Sequence, residues 1–516
     1  MNENIATQLF DVAARVPTRT AVRHLPSGHC TTYGELARRV RGIATSLRKL
    51  GLAPGDRIAL LLNNSPAYLE AFFGALTAGL VVVPLNTRLS APDFAHMIAD
   101  SGSRVLLSEK AFRSVLNDPR LPVAHVVEVD ERGPVPSLEG FADKPPSDPV
   151  HRAGTDLCSL MYTSGTTGSP KAVMLSHGSW TSVADTMPTL LSHPDGLRVL
   201  HAAPLTHGAG FLMLPTIRSA GVNVTCGSFS PTETARLIAS GDVDGLFLVP
   251  SMIQMLLDVL PDQWAPADNF RWLYYAGSPI GVETLREASA RLDCRLVQSF
   301  AQMEAPMFLT SLGMNGHREA LTDSMSDAGR TAGSVIEGRD VEIVDEKGTP
   351  VSDGSVGEII ARAPQTMLGY WNRDEDTKRA IRDGWLYTGD LGRIDAVGRL
   401  HVVDRKKDMI VSGGSNIYAR EVEEALEGAP GVTDCAVIGL PHRTWGEQVT
   451  AVVVPATDHV IDADVVRNYC RDRLAGYKVP KLVISVPELP RNPYGKVLKK
   501  DLRRLLAPES LDAARP

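Results

Sequence analysis

The spacing of apolar residues near the start of the chain predicts an amphipathic helix. Thr32 and Glu35 have the spacing of a capping box, which marks the beginning of a helix. The apolar positions that follow recur at helical intervals, at Leu36, Val40, Ile43, Leu47 and Leu50. Gly51 then offers the left-handed conformation that commonly ends a helix. We therefore expect one helix that starts after Thr32 and stops at Gly51.

The segments that follow alternate between strand and helix patterns. Residues 57–62 read as a strand, Ser65 as the cap of a helix with Pro66 at its first position, and residues 80–83 as a second strand. This order implies a parallel sheet with right-handed crossovers. Further apolar runs have the length of buried strands, at 104–107, 199–202, 222–225, 245–249, 272–275 and 295–298. The fold class expected from this alternation is α/β.

Two stretches interrupt this pattern. Residues 130–149 are rich in Pro, Glu, Asp and Gly and predict a surface connection. The charged run 404–408, followed by Ser412–Ser415, is compatible with a solvated turn and with a hinge. Beyond it, helices at 419–426 and about 462–474 and strands at 435–439, 448–454 and 482–486 suffice for a separate α+β unit. We therefore predict an N-terminal domain over 1–406 and a C-terminal domain over 407–516.

Composition and charge narrow the function classes. The 516 residues, 43% hydrophobic and 22% charged, are typical of a globular protein with two to four compact units. A net charge of -7 and a pI near 6.0 supply no basic field for nucleic acid. The longest apolar stretch, 74–83, is far too short to span a membrane, and the start lacks a signal-peptide pattern. We therefore expect no nucleic acid partner, no membrane span and a cytoplasmic location.

Cysteine spacing adds a further exclusion. The six cysteines are scattered, with no CxxC pair, which argues against a zinc site and against a disulfide framework. Buried or incidental thiols are the expectation for each.

The richest chemistry lies in the stretch from Met161 to Lys171, which alternates hydroxyl residues with glycines after an apolar strand-like start. Glycines let backbone N–H groups turn toward an anion, hydroxyls add donors, and the lysine adds positive charge. This is the composition of a phosphate-binding loop. The Walker A spacing is absent, because Pro170 precedes the lysine.

Together with other motifs in the same order, this stretch resembles the adenylate-forming superfamily of acyl-CoA synthetases, luciferases and peptide-synthetase adenylation domains. The resemblance covers nearly the whole chain, and it rests on 163–171, 387–391, 404–408, 412–416, 445–447 and 490–496. Residues 474–480, Leu-Ala-Gly-Tyr-Lys-Val-Pro, are similar to a stretch of the CoA-ligase branch. The resemblance to this superfamily implies a large N-terminal domain with mostly parallel sheets and a smaller, mobile C-terminal α+β domain.

The resemblance implies ATP and Mg²⁺ as cofactors and CoA as cosubstrate. Asp390 would hold the ribose hydroxyls, and Arg405 the ribose or a phosphate, as a forked donor. The full set implied for ATP is Thr163, Ser164, Gly165, Thr166, Thr167, Gly168, Lys171, Gly277, Ser278, Gln298, Phe300, Ala301, Gln302, Met303, Asp390, Arg405 and Lys496. Glu304, with Thr163, is implied as the metal-binding position, since Mg²⁺ that bridges phosphates needs few protein ligands.

The resemblance also assigns roles around the catalytic step. Glu304, His207 and Lys496 are implied as catalytic residues, and Lys496 would neutralise charge during adenylation. Lys407 occupies the hinge position, and rotation there would bring Gly413 and Gly414 toward the pantetheine of CoA.

The acyl pocket is implied by a scattered set that is mostly apolar or small: His207, Gly208, Phe211, Val249, Gly277, Phe300 and Met303. The segment 204–210 contains no acid to hold an α-ammonium group, so we expect α-amino acids to be rejected. Met303 departs from the family pattern, which has a threonine there, and this removes one hydroxyl donor to the α-phosphate. Ala172 replaces the usual glycine after Lys171.

We therefore expect an AMP-forming acid–thiol ligase that adenylates an aryl, arylalkenoyl or medium-chain carboxylate and passes the acyl group to CoA. Its partners would be these small molecules, and we allow for a homodimer. Three alternatives remain: transfer to a carrier-protein thiol or an amine, activation of an oxyacid such as nitrite for diazotisation of an aryl amine, and a non-catalytic nucleotide-binding protein.

Overall fold

The computed structural model of the chain describes residues 2–113, 123–129, 138–163, 170–191, 195–278, 280–322, 331–352, 354–457, 459–492 and 497–506. The chain divides into two compact units. The larger comprises Met1–Val341, Ala361–Leu386 and Gly398–Leu400, and the smaller comprises Glu342–Ile360, Tyr387–Val397 and His401–Pro516. Within the described residues, no helix has both the length and the apolar character needed to cross a membrane.

The helices are short to medium in length and are spread over the chain. They are α1 (Ala6–Arg15), α2 (Tyr33–Lys49), α3 (Pro66–Thr77), α4 (Ala91–Ser101), α5 (Leu138–Ala142), α6 (His177–Leu191), α7 (Met213–Arg218), α8 (Pro231–Ala239), α9 (Pro250–Leu257), α10 (Val282–Leu292), α11 (Met314–Thr322), α12 (Asp374–Ala380), α13 (Ala419–Leu426), α14 (Ala463–Arg471) and α15 (Lys499–Leu505). Short 3₁₀ turns cover Lys110–Phe112 and Gly208–Leu212.

The strands alternate with these helices. They are β1 (Thr20–His24), β2 (His29–Thr32), β3 (Arg57–Leu61), β4 (Val81–Pro84), β5 (Val105–Ser108), β6 (His125–Glu128), β7 (Leu157–Thr163), β8 (Lys171–Ser176), β9 (Arg198–His201), β10 (Val222–Thr225), β11 (Gly245–Leu248), β12 (Trp272–Tyr275), β13 (Arg295–Gln302), β14 (Ala305–Leu312), β15 (Thr331–Val335), β16 (Asp340–Val344), β17 (Gly357–Arg362), β18 (Gly369–Tyr370), β19 (Ile381–Arg382), β20 (Trp385–Ile394), β21 (Arg399–Arg405), β22 (Ile410–Ser412), β23 (Ser415–Ile417), β24 (Val432–His442), β25 (Gly446–Pro455) and β26 (Leu482–Ser485).

Hydrogen bonding arranges these strands into sheets. In the larger unit, neighbouring strands follow the orders β15-β14-β13-β12-β11-β9-β10-β1-β2 and β18-β8-β7-β4-β3-β5-β6. In the smaller unit, the segments before residue 406 hold strands in the order β16-β17-β20-β21. The remainder of that unit has the order β23-β22-β25-β24, with β26 beside β25.

Helix α2 confirms the expectation from the apolar spacing. The Thr32 N–H donates to Glu35 Oε2 over 2.8 Å, and the reciprocal bond from the Glu35 N–H to Thr32 Oγ1 completes the capping box. The apolar face is fully buried at Leu36, Val40, Ile43 and Leu47. Each such side chain contributes roughly 1.5–3 kcal/mol on burial, so packing holds the helix in place.

The predicted strand, helix and strand after α2 are also present. Strands β3 and β4 pair in parallel, with Arg57 opposite Val81, and Pro66 is the first residue of α3. The expected side-chain cap at Ser65 is not formed, because its hydroxyl makes no capping hydrogen bond. The Ser65 backbone carbonyl accepts the Tyr68 N–H over 3.1 Å instead. Tyr68 is the third helical residue, whose N–H a capping side chain would accept, so the carbonyl bond takes the place of the serine cap.

The prediction of a plain connection over 130–149 was wrong in its middle. Residues 138–142 form helix α5, whose Leu138, Phe141 and Ala142 are buried. A Cβ at Gly42 of α2 would lie 2.3 Å from the Ala142 carbonyl oxygen, so the two helices pack closely. Residues 130–137 of this prediction lie outside the described residues.

The smaller unit contains the α+β elements expected after residue 404. Helix α13 has the predicted bounds, while β24 and β25 form a longer hairpin than the apolar runs indicated. The charged run is not a fully solvated turn, because Asp404 and Asp408 are only 6% and 8% exposed. Asp408 accepts a hydrogen bond from Arg503 of α15 over 3.3 Å, which ties the end of this run to the C-terminal helix.

Candidate active site

The predicted phosphate-binding loop joins two paired strands. Strands β7 and β8 are antiparallel, and Thr163 at the end of one lies opposite Lys171 at the start of the other. The Thr163 hydroxyl donates to the Lys171 carbonyl over 3.4 Å. The hairpin therefore brings these two predicted residues together, one on each side of the loop. The loop residues Ser164, Gly165, Thr166, Thr167 and Gly168 lie outside the described residues.

Lys171 is held by two partners that the sequence did not indicate. Its Nζ lies 3.0 Å from Asp376 Oδ2 of α12 and 5.3 Å from the centre of the Tyr370 ring. The bond from Lys171 lowers the pKa of Asp376. An ammonium group has three donors, so these contacts orient the lysine while leaving donor capacity for a phosphate.

Glu304 shares one of these partners. The Tyr370 hydroxyl donates to Glu304 Oε1 over 2.7 Å, and the Met367 N–H donates to the Glu304 carbonyl over 2.8 Å. Burial, followed by the charge of Glu304, raises the pKa of Tyr370, so the phenol stays protonated and is the donor. The candidate metal-binding acid and the candidate phosphate lysine therefore meet at one tyrosine, on the short strand β18.

The carboxyl ends of four neighbouring strands collect most of the predicted acyl-binding residues. Strands β9, β11, β12 and β13 are parallel neighbours. Ligands of α/β sheets bind at this edge. Val249 follows β11 and Gly277 follows β12, and a Cβ placed at Gly277 would lie 3.7 Å from Val249 Cγ1. Gly277 has a φ of +96°, which only glycine adopts freely.

Strand β13 continues past this edge and carries the next group of predicted residues. It extends to Gln302, longer than the sequence indicated, and pairs with β14 through a shift in register between Phe300 and Gln302. Phe300 is 9% exposed, whereas Met303 and Glu304 in the following turn are half-buried. The predicted nucleotide residues Gln298, Ala301 and Gln302 lie on this strand, and Ser278 is exposed just after β12.

His207 lies in the turn after β9, just before a 3₁₀ segment. Its N–H donates to the Pro204 carbonyl over 3.2 Å, and its carbonyl accepts the Gly210 N–H over 2.9 Å. Burial lowers the pKa of His207 to about 4, so the imidazole is neutral at pH 7. Its chemistry is therefore that of a hydrogen-bonding group without charge. A Cβ at the adjacent Gly208 would lie 3.8 Å from the Phe247 ring.

A buried asparagine holds the segment that leads to His207. The Asn64 side-chain amide donates to the carbonyls of His201 and Ala203, over 2.7 and 2.8 Å, and its oxygen accepts the Leu205 N–H over 2.9 Å. Tyr68 adds a bond to the Leu205 carbonyl over 3.0 Å. Sequence reasoning missed this support, since only the Asn63-Asn64-Ser65 cluster before a helix hinted at it.

Phe211 takes a different place from the other acyl-binding candidates. It is 1% exposed and stacks on Trp180 at a ring distance of 4.2 Å. Trp180 in turn contacts Phe72 and donates to the Ser159 hydroxyl over 3.0 Å. This residue is therefore part of an aromatic core cluster, and its role in acyl binding stays a prediction.

The smaller unit holds the remaining predicted residues. Arg405 Nε lies 3.5 Å from Asp390 Oδ1, so the two candidate ribose contacts are adjacent. Gly413 and Gly414 form the turn between β22 and β23, with φ of +58° and +80°. Lys407 follows β21 within the charged run. Lys496 lies outside the described residues.

The described residues contain no cluster of three or more His, Cys, Asp or Glu side chains that could hold a metal ion. Glu304 is therefore a single carboxylate, the kind of site in which Mg²⁺ takes its other ligands from phosphates and water. The half-buried acid with one tyrosine donor fits that use, because the second carboxylate oxygen is not engaged by this bond.

Known proteins match nearly the whole length of the chain. Residues 9–371 match the family described as AMP-binding enzyme, and residues 421–496 match the AMP-binding enzyme C-terminal domain. The chain is 41% identical over 511 residues to a feruloyl-CoA synthase of Amycolatopsis sp., with 98% of this chain and 99% of that protein covered. It is 35% identical over 486 residues to the long-chain-fatty-acid–CoA ligase FadD13 of Mycobacterium tuberculosis, with 92% of each covered.

Solved structures agree with this similarity. The crystal structure of ATP-bound MatB from Rhodopseudomonas palustris superposes with a TM-score of 0.87 at 29% identity, with 99% of this chain and 100% of that chain covered. The expected fold class, a large N-terminal α/β domain and a smaller C-terminal domain, is confirmed. The chain belongs to the family of AMP-binding enzymes and, within it, to the acyl-CoA ligases.

Proposed function

We propose that this ligase uses ATP and Mg²⁺ to activate an arylalkenoyl carboxylic acid of the ferulate type and transfers the acyl group to CoA. The observation that carries the choice of acid is the carboxyl edge formed by β9, β11 and β12. There Val249 and Gly277 are close neighbours, the loop after β9 carries a neutral His207, and the segment 204–210 supplies no carboxylate. A hydrophobic, uncharged tail fits this environment, because a buried ammonium would lack a partner. The 41% identity to a feruloyl-CoA synthase supports the same class.

The chemistry proceeds in two half-reactions. A carboxylate oxygen of the acid attacks the α-phosphorus of ATP, and pyrophosphate leaves with its electron pair. The CoA sulfur, having lost its proton, then attacks the acyl carbon, and AMP leaves. We assign Lys171 and the loop 164–168 to the phosphates, Asp390 and Arg405 to the ribose, and Glu304 with Thr163 to Mg²⁺. Lys496 supports the first step, and Gly413 and Gly414 line the path of the thiol.

The test is ATP–pyrophosphate exchange with a panel of acids. We expect ferulate and other cinnamates to support the fastest exchange, octanoate and benzoate to be slower, and phenylalanine to give none above the no-acid control. Addition of CoA should convert the acyl adenylate to a thioester. Robust exchange with amino acids alone would overturn the assignment, as would activation without any CoA-dependent product.

The carrier-protein and amine acceptors are separated by the same assay. A thioester formed with CoA at a rate above that with holo carrier protein or an amine excludes both as main acceptors. A homodimer and a cytoplasmic location remain predictions, and light scattering of the purified enzyme tests the first.

A further inference from the structure

One buried carboxylate in the smaller unit joins the two motifs that carry Asp390 and Arg405. Glu358, on β17, has a side chain that is 10% exposed. Its Oε1 accepts the Gly389 N–H over 3.2 Å, and its Oε2 accepts Lys406 Nζ over 2.8 Å. Gly389 is the residue before Asp390, and Lys406 is the residue after Arg405. Each oxygen of this acid therefore fixes a neighbour of one candidate ribose contact.

Backbone bonds place the same segments side by side. The Lys406 N–H donates to the Gly389 carbonyl over 2.9 Å, next to the side-chain bonds of Glu358. The Thr388 hydroxyl donates to the Ile359 carbonyl over 2.6 Å and accepts the Asp390 N–H over 3.2 Å. Two successive residues of β17, Glu358 and Ile359, thus bind Gly389 and Thr388 of β20, and Thr388 in turn binds the Asp390 N–H.

The environment makes the side chain of Glu358 more than a surface ion pair. A carboxylate this buried is stable only when its oxygens are hydrogen-bonded, and loss of one partner leaves the other without compensation. Gly389 has a φ of +69° within β20, a conformation that favours glycine, so the backbone before Asp390 departs from regular strand geometry.

We infer that Glu358 is a positioning residue for ribose recognition: through Gly389 and Lys406 it sets the direction of the Asp390 carboxylate and the Arg405 guanidinium. This inference rests on the proposed function, in which Asp390 and Arg405 bind the ribose. The hydrogen bonds of Glu358 go to the residues that flank them, Gly389 and Lys406. Its effect is on the selection of the ribose hydroxyls and not on the acid or the thiol.

The experiment measures kcat/KM in pyrophosphate exchange with ATP, 2′-deoxy-ATP and 3′-deoxy-ATP. Glu358→Gln keeps an oxygen for the Gly389 N–H and loses the ion pair, whereas Glu358→Ala loses both contacts. We expect the preference for ATP over the deoxy analogues to fall about threefold in the first and about tenfold in the second, less than the full loss of one hydrogen bond to a charged group, because Glu358 acts on the ribose contacts only through their neighbours. Lys406→Met should resemble Glu358→Gln.

A matched control comes from another acid of the same unit. Glu423 accepts the Val437 N–H over 2.7 Å and lies 2.7 Å from Lys499 Nζ, so it has the same two kinds of partner. Glu423→Gln should lower thermal stability to a similar extent and leave the nucleotide preference unchanged. If Glu358→Ala does not fold, Glu358→Gln and Lys406→Met decide the question.

Asp390→Asn, measured in parallel, distinguishes a failure of the positioning role of Glu358 from a failure of the ribose assignment of Asp390. If Asp390→Asn loses the preference and the Glu358 and Lys406 variants keep it, the positioning role is overturned and the proposed function stands. If Asp390→Asn itself retains full preference for ATP, the ribose assignment within the proposed function is overturned. Equal loss of preference in the Glu423 control would also contradict the inference.

Discussion

At the scale of single residues, Tyr370 links the candidate metal-binding acid to the candidate phosphate-binding lysine. Its hydroxyl is bonded to Glu304, and its ring lies beneath the Lys171 ammonium. The sequence indicated both of these partners, because each lies in a motif with chemical character. Tyr370 itself could not be predicted, since it is far from both along the chain and the two-residue strand that carries it has no periodic pattern.

The two contacts of Tyr370 can be separated by substitution. Tyr370→Phe keeps the ring below Lys171 and removes the donor to Glu304, so we expect about a tenfold rise in the Mg²⁺ concentration needed for half-maximal exchange. Tyr370→Leu removes the ring as well and should also raise the KM for ATP. Titrations of Mg²⁺ at fixed ATP, and of ATP at saturating Mg²⁺, measure the two effects. Tyr469→Phe, which loses only an exposed bond to the Glu427 carbonyl, is the control, and an unchanged Mg²⁺ requirement in Tyr370→Phe would contradict the role.

Lys496 gives a second test at this scale. In the proposed mechanism its charge acts while negative charge builds on the α-phosphate and not during thiol attack, so Lys496→Ala should slow adenylation by on the order of 100- to 1000-fold. Thioester formation from supplied acyl adenylate should remain nearly intact. The two half-reactions are measured separately by pyrophosphate exchange and by product formation from the adenylate. Equal slowing of both is the outcome that speaks against the assignment.

At the scale of elements, sequence patterns were informative where burial is regular. Strands β10 and β12 and helix α13 have the bounds that their apolar residues indicated. Strand β13 and the β24–β25 hairpin are longer than predicted, because neighbouring strands pair with their ends. Helix α5 was not predicted, and it forms because its three buried residues pack on α2. Such tertiary contacts override a local composition of turn formers.

The charged run at the end of β21 permits a test of the expected hinge. Lys407→Pro fixes φ near roughly -65° and removes one N–H, so we expect it to block domain rotation after the first half-reaction. The acyl adenylate should then form at close to the normal rate and persist when CoA is present. Rapid-quench analysis of adenylate and thioester in the same reaction measures this. Lys407→Ala, which leaves the backbone free, serves as the control, and normal CoA-dependent turnover in the proline variant would show that the pivot lies elsewhere.

At the scale of the whole molecule, buried histidines make the larger unit sensitive to acid. His177, His201 and His317 are 1–2% exposed, and burial lowers the pKa of each to about 4. In the unfolded chain a histidine has a pKa near roughly 6.5, so the unfolded state binds more protons between these values. Stability therefore rises with pH over this range and is lost as the pH falls from about 6.5 toward 4.

The expected size of this effect is on the order of 2 kcal/mol per buried histidine between pH 7 and pH 5. Thermal unfolding followed by circular dichroism should give a clearly lower Tm at pH 5. His201→Gln, which cannot gain a charge, should show a smaller difference between the two pH values than the wild type. An equal pH difference in both proteins would show that His201 does not carry this effect.

Family membership was readable from the sequence because separate motifs occur in one order, each with its own chemistry. The arrangement of the site was readable only in part. Thr163 beside Lys171 follows from a hairpin, and Val249 near Gly277 follows from the shared edge of parallel strands. The supports, Asn64 and Glu358, carry no motif of their own, because a buried polar side chain reveals its purpose only through partners distant in sequence.

The turn formed by Gly413 and Gly414 has a consequence of stereochemistry. Both residues have positive φ, so the hairpin already demands glycine before any thiol approaches. Substitution of either glycine by L-alanine would strain the backbone and also narrow the proposed thiol path, so the two effects could not be told apart. A D-alanine at Gly414, introduced by ligation of a synthetic C-terminal segment, favours positive φ and adds only a methyl group. The D-alanine variant thus separates backbone strain in the turn from obstruction of the proposed thiol path. If this variant folds normally but forms the thioester more slowly, the added methyl group obstructs that path.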